Sequence, residues 1–286
     1  DGRAIMEMMT CTENVIRNDS VASSSKQKPK HAVLLLHGLG GGPEEMYYLK
    51  RKLMLQGFHV EVPLLPGHCT HYLDLKKIKW QEYAEVAYAE FEKLKREHET
   101  VSVSGLCLGA VLALAVGIKY GDQVHAICPI STTLNFDGWG LPFITKLIWL
   151  APFTPFYHFY NLSESDPYGI KDEKLRNFIK KKMSDTSKTH YAKVPFKSIW
   201  EMRKLNFYVK ENMHKITSEI CAIHPLEDDV SSVRSVEDIK KRVKSQRFEA
   251  LILKDSYHLA TIDRERDLVA NTICNFIGNK NIIGMA

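Results

Sequence analysis

Residues Val101-Ser102-Val103-Ser104 make a short strand pattern that runs straight into Gly105-Leu106-Cys107-Leu108-Gly109 and then into a small-residue helix pattern ending near Tyr120. Strand, tight turn and helix in that order are the setting of a nucleophile elbow, where flanking glycines let the two elements close up and one side chain projects. Here that side chain is a thiol. At a helix start the free backbone N–H groups and the helix dipole favour a thiolate, so Cys107 is placed for nucleophilic attack. Gly-x-Cys-x-Gly taken alone fits equally well a cysteine that only packs against a sheet. Ser104 is the rival nucleophile, but it lies on the strand, three positions short of the apex.

Two further segments offer partners for the thiol. After the strand pattern Phe248–Leu253, Lys254-Asp255-Ser256-Tyr257-His258 sets a histidine in a loop, and the strand before it ends in Ile223-His224-Pro225-Leu226-Glu227-Asp228-Asp229-Val230. Open α/β sheets build their sites at the carboxyl ends of their strands, which is where both segments fall. The chain order is therefore nucleophile, acid, base, with Asp228 and Asp229 both available as the acid. His37, in His37-Gly38-Leu39-Gly40, and His68, beside Cys69, are read as groups that shape loops through hydrogen bonds.

The elements that must position these residues follow from periodicity. Val33–Leu36 is a continuous apolar run, as in a strand buried on both faces. Pro43–Gln56 has helical spacing with Pro at its start and Gly57 after its end, followed by a short strand at 60–62. A helix whose apolar face includes Trp80, Tyr83, Ala87, Phe91 and Leu94 precedes the elbow strand. Beyond the elbow helix come strands at 124–129, 220–224 and 248–253 and helices at 236–243 and 265–277. Alternating strands and helices predict a mostly parallel sheet with helices on both faces. Residues 131–216 interrupt the alternation: they carry no strand signal, have helix-like clusters at 143–150, 174–183 and 199–209, and read as a helical insertion. The expected organisation is a polar arm at 1–30, a core formed by 31–130 and 217–286, and a helical cap at 131–216.

The whole chain sets outer limits. Its 286 residues are 44% hydrophobic and 26% charged with a formal net charge of +5, an ordinary globular balance that excludes a fibrous or disordered protein. The greasiest stretch, 141–159, is broken by Lys146, Pro142, Pro152 and Pro155, so no membrane span is expected. The first 30 residues lack an apolar h-region behind a basic start, so no signal peptide is expected. Six scattered cysteines, without Cys-x-x-Cys spacing, suggest neither a disulfide framework nor a zinc site and point to a reducing, cytoplasmic compartment. The run Lys180-Lys181-Lys182 lacks interleaved aromatic or glycine signals and reads as a solvated helix face, not a nucleic-acid surface.

Taken together, His37-Gly38-Leu39-Gly40, Gly105-Leu106-Cys107-Leu108-Gly109, Glu227-Asp228-Asp229 and Ser256-Tyr257-His258 resemble the α/β-hydrolase superfamily, in particular its bacterial carboxylesterase and monoacylglycerol-lipase branch. Pro63-Leu64-Leu65-Pro66-Gly67-His68 is similar to that branch's Pro-x-x-x-Gly-His segment, and the likeness spans roughly 31–280. The resemblance implies an α/β-hydrolase fold with Cys107 as nucleophile, His258 as general base and acid, and Asp228 as the residue orienting it, Asp229 being the near alternative. It also implies an oxyanion hole from the backbone N–H groups of Leu39 and Leu108, and neither cofactor nor metal.

The branch carries serine where this chain has Cys107, so the acyl intermediate would be a thioester. Three readings follow. The first is a hydrolase of apolar acyl esters or thioesters. The second is an acyltransferase or condensing enzyme that takes its acyl group from coenzyme A or an acyl carrier protein, with Lys180–Lys182 receiving the acidic donor. The third is a non-catalytic member, or one whose serine was exchanged for cysteine by design. In the family such insertions cap the nucleophile, and apolar residues including Phe143, Leu147, Trp149, Phe153 and Phe156 would give this cap an acyl or aryl pocket.

Overall fold

The computed structural model describes residues 30–141, 160–163, 166–184 (backbone only for 181–184) and 193–278. Residues 1–29 of the polar arm and the aromatic cluster at 143–159 lie outside the described residues, as do the side chains of Lys181 and Lys182.

Six strands form one sheet: β1 (His31–Leu36), β2 (His59–Glu61), β3 (Thr100–Leu106), β4 (Ala126–Ile130), β7 (Glu219–Pro225) and β8 (Phe248–Leu253). Their order is β2-β1-β3-β4-β7-β8, and every neighbouring pair is parallel. The expected α/β-hydrolase architecture is the one observed.

The helices are α1 (Tyr47–Leu55), α2 (Trp80–Glu97), α3 (Leu108–Tyr120), α4 (Glu173–Ser184), α5 (Phe196–Asn212), α6 (Arg234–Arg242) and α7 (Arg266–Ile277). Residues Pro43–Met46, expected as the first turn of α1, form a separate 3₁₀ turn in front of it.

Strand alternation divides the core into two layers. Val33 and Leu35 of β1 face α1 and α7, packing with Leu49, Leu53, Ile273 and Phe276. Ala32, Leu34 and Leu36 face the opposite way, with α2, α3, α5 and α6. This explains the unbroken apolar run of β1: both of its faces are covered. Helix α3 is buried from Leu108 to Ile118 because it lies between the sheet and the pair α2 and α5. A helix enclosed on all sides needs no polar face, hence its string of Leu, Ala and Val.

The segment expected to lack strands contains two. Asn161–Ser163 (β5) and Lys193–Pro195 (β6) pair antiparallel, with Leu162 opposite Val194. Three-residue strands are too short for a period-two pattern to register. Helix α5, from the same segment, buries Met202, Leu205 and Val209 in the principal core.

The register gathers the strand ends. Leu36 lies opposite Gly105, Leu106 opposite Ile130, Ile130 opposite Ile223, and Pro225 opposite Leu253. The chain leaves β1 for the edge strand β2 and returns to β3 on the other side of β1, so a topological switch point falls between β1 and β3. Crevices outside the carboxyl ends of the strands at such a point bind ligands.

Candidate active site

Cys107 connects β3 to α3 with φ of 56° and ψ of −113°, a backbone conformation rarely adopted by residues with a Cβ. Two glycines make the turn feasible. A Cβ on Gly109 would fall 2.0 Å from the Leu36 carbonyl oxygen, and one on Gly105 would fall 2.3 Å from the Gly109 carbonyl. Side chains at either position would force the helix off the sheet. The Cys107 N–H is held by the Ile130 carbonyl at 3.1 Å, and its side chain opens into a cleft.

His258 follows β8. Its Nδ1–H lies 2.9 Å from both carboxylate oxygens of Asp228, and both residues are buried. Asp228 Oδ1 also accepts the N–H groups of Val230 at 2.8 Å and Ser231 at 2.9 Å, which set the carboxylate within its own loop. The buried imidazole resists charging, but Asp228 and then Cys107 outweigh that resistance and hold its pKa well above the usual histidine value. Burial likewise opposes ionisation of Asp228, yet His258, His224 and the loop N–H bonds keep its carboxyl below the ordinary range.

Asp229 is placed differently. Its Oδ1 accepts the His258 backbone N–H at 3.3 Å, and burial pushes its pKa up. The imidazole is therefore oriented by Asp228, and Asp229 supports the loop that carries it. The same loop is tied down by Asp263, whose Oδ2 accepts the N–H groups of Tyr257 and Lys171, each at 2.8 Å. That buried carboxylate joins the histidine loop to the segment leading into α4.

Nε2 of His258 is buried and is not engaged by Asp228, which holds the other ring nitrogen. The Cys107 thiol interacts with the imidazole by charge and by a side-chain hydrogen bond, and Sγ also lies 3.4 Å from Thr133 Oγ1. Ser104, the rival nucleophile, turns away from the cleft and donates to the Cys128 carbonyl at 2.6 Å.

The loop after β1 approaches the elbow from the other side. Gly38 N–H donates to Glu45 Oε2 at 2.9 Å, and Gly40 N–H to His68 Nε2 at 3.2 Å. Leu39 N–H, between them, has no partner among the described residues and lies in the loop lining the cleft. Leu108 N–H, in the first turn of α3, has none within its helix. Two free donors thus flank the elbow.

His37 accepts from Leu65 N–H at 3.0 Å and turns Nδ1 toward the Gly38 carbonyl at 2.9 Å. Burial lowers the His68 pKa to about 4, so at neutral pH it is an uncharged acceptor. Sequence reasoning missed Glu45, which resembled ordinary acid in the first turn of a helix, and Thr133, which belongs to no local motif.

The cleft encloses a cavity of about 200 Å³. Its described lining is mainly apolar, with Leu39, Phe136, Leu162, Val194, Ile199 and Met202 around Cys107 and His258. It includes the carboxylates Glu45, Asp166 and Asp229 but no lysine or arginine among the described residues. Asp166 is paired with Arg176 at 3.0 Å. Among the described residues no helix is long and apolar enough to cross a membrane.

Comparison with known proteins agrees with this architecture. The chain is 25% identical over 244 residues to a thermostable monoacylglycerol lipase of Bacillus sp. (strain H-257), covering 85% of this chain and 89% of that enzyme. It is 24% identical over 247 residues to a carboxylesterase of Bacillus subtilis (strain 168), covering 86% and 92%. A soluble variant of the Saccharomyces cerevisiae monoglyceride lipase superposes with a TM-score of 0.74 at 14% identity over 91% of this chain and 90% of that one. The profile of the serine aminopeptidase S33 family matches residues 27–265, and the chain belongs to that family of α/β hydrolases.

Proposed function

We propose that this protein hydrolyses uncharged, apolar acyl esters through a Cys107–His258–Asp228 triad. The observation that carries the reading is His258: Nδ1 is fixed by both oxygens of Asp228, while the imidazole interacts on its other side with the Cys107 thiol. An imidazole held in this way is a base in a single tautomer with one nitrogen available.

In this mechanism the Cys107 S–H bond breaks and its proton passes to Nε2. The sulfur electron pair attacks the ester carbonyl, and the displaced C=O pair becomes an oxyanion between Leu39 N–H and Leu108 N–H. Collapse expels the alkoxide, which takes the proton from the imidazolium and leaves an acyl thioester on Cys107. Water, deprotonated by neutral His258, then attacks the thioester; the acid leaves and sulfur recovers its proton.

The apolar walls favour an acyl chain, and a lining of carboxylates without described cations favours an uncharged ester over the phosphates of coenzyme A. Leu162, Tyr168, Ile179 and Val194, from the described residues between 160 and 195, line the same cavity as Cys107 and serve as the described part of a cap.

Intact-protein mass spectrometry after rapid mixing with a p-nitrophenyl acyl ester tests the reading. An acyl adduct mapping to Cys107, discharged by water at the rate of turnover, is the expected result. Turnover without any adduct in the Cys107 peptide, or undiminished turnover after Cys107→Ala, overturns it. Discharge only when an alcohol, amine or thiol acceptor is supplied identifies an acyltransferase instead.

A further inference from the structure

The hydroxyl in hydrogen-bond contact with the proposed nucleophile belongs to neither triad nor oxyanion hole. Thr133 is wholly buried in the loop after β4, with Oγ1 3.4 Å from Cys107 Sγ and also 3.4 Å from the Ser131 carbonyl oxygen. The loop is clamped from two sides. Buried Asn206 of α5 donates Nδ2–H to the carbonyls of Thr133 at 2.8 Å and Leu134 at 3.3 Å, and Ser231 Oγ donates to the Thr132 carbonyl at 3.1 Å. Thr133 Oγ1 is therefore a fixed point of the site.

We propose that Thr133 is a proton-directing partner of Cys107: its hydroxyl accepts the S–H of the resting thiol and rotates to donate to the sulfur once the thiol has lost its proton. The two acceptors around Oγ1 permit this exchange. In the resting state the Thr133 O–H points to the Ser131 carbonyl, and S–H points to Oγ1. When the S–H bond breaks and the proton moves to His258 Nε2, the bonding pair stays on sulfur and Thr133 O–H turns from Ser131 to the anion. Sulfur then has two donors, this hydroxyl and the imidazolium, at the positive end of the α3 dipole. A thiolate is larger and more diffuse than an alkoxide, so two modest donors suit it. The inference rests on Cys107 being the nucleophile.

The titratable groups around the sulfur come from three elements. His258, with Asp228 and Asp229 behind it, approaches from the loops after β8 and β7, and Glu45 from the turn after β1. None of them changes in a Thr133 variant, so a pH profile isolates the hydroxyl.

Alkylation of Cys107 by iodoacetamide in the full chain, followed peptide by peptide as a function of pH, supplies the test, with Cys107→Ser as the background from other cysteines. Thr133→Val removes the hydroxyl at nearly constant volume and is expected to move the alkylation midpoint upward by about half to one pH unit, slowing modification about threefold to tenfold below the midpoint. Thr133→Ser should restore the original profile. Thr133→Ala should shift it in the same direction as Val, which guards against a misfolded valine variant.

A midpoint that is unchanged or lower in both Val and Ala overturns the inference. His258→Ala separates the two layers of the reading. If that variant shifts the profile and Thr133→Val does not, only the role of Thr133 fails. If neither shifts it, Cys107 is not a base-coupled nucleophile and both readings fail.

Discussion

Asp228 and Asp229 are adjacent and chemically identical, yet their environments push them in opposite directions. Asp228 is held ionised by His258 and a ring of N–H donors, whereas Asp229 is raised by burial. Removing one negative charge at 228 should therefore matter more than at 229. Asp228→Asn presents an amide to Nδ1, disturbs the tautomer and removes the charge that steadies the imidazolium, so kcat should fall by about 10²- to 10⁴-fold. Asp229→Asn leaves the Nδ1 contact untouched and should stay within about tenfold. Steady-state kinetics of both variants decides it, and an equal loss in the two would contradict the division of roles. Cys107, His258 and this pair were legible in the sequence because glycine spacing and strand ends are local signals. Glu45 and Thr133 were not: Glu45 acquires its role when the chain after β1 folds back so that it accepts the Gly38 N–H, and Thr133 by meeting Cys107 from another strand's end.

At the scale of elements, the loop after β1 shows how buried histidines stabilise structure by remaining uncharged. His68 accepts Gly40 N–H in a site where burial lowers its pKa to about 4. The unfolded chain has the ordinary value near 6.5, so between those limits the unfolded state binds more protons and stability falls as pH falls. The contribution is complete above about pH 6.5 and is lost progressively toward pH 4, amounting to about 3 kcal/mol from this residue. His31, lowered to about 4 by burial and by its neighbours His125 and His98, adds to the same trend at the opposite end of the sheet. Urea midpoints between pH 7.5 and 4.5 should drop over this window, and His68→Gln should flatten the slope. A slope unchanged in that variant would show that His68 does not supply it. Strand positions were readable from apolar runs, but β5 and β6 were too short, and the inward burial of α5 could not be distinguished from that of a cap helix by its own pattern.

Across the whole molecule, the cleft depends on two parts of the chain closing on one another. Cys107 and His258 come from the ends of β3 and β8, whereas Val194 and Ile199 come from β6 and α5, within the interrupting segment. Chain-length preference should therefore be tunable from the far wall without touching the triad. Ile199→Trp fills space in the cavity that Cys107 also lines, and losing room for two methylenes costs about 1.6 kcal/mol of burial, or roughly fifteenfold in kcat/KM. A series of p-nitrophenyl esters should show longer chains losing this much relative to acetate, with acetate turnover nearly unchanged; a uniform loss along the series would place Ile199 outside the acyl path.

The sequence by itself determined the alternation of strands and helices, the elbow at Cys107 and the chain order of the thiol, the aspartate pair and His258. Each of these is encoded in periodicity or in a few consecutive residues, where steric and hydrophobic preferences act over short range. Only the tertiary structure decided which aspartate orients His258, which N–H groups remain free beside the elbow, and that the thiol rests on Thr133. Those outcomes are differences of about an ångström between groups 26 to 30 residues apart for the thiol and the histidine, and farther for the loops around them. Such distances are set by strand register and by clamps such as Asn206, which no local pattern encodes.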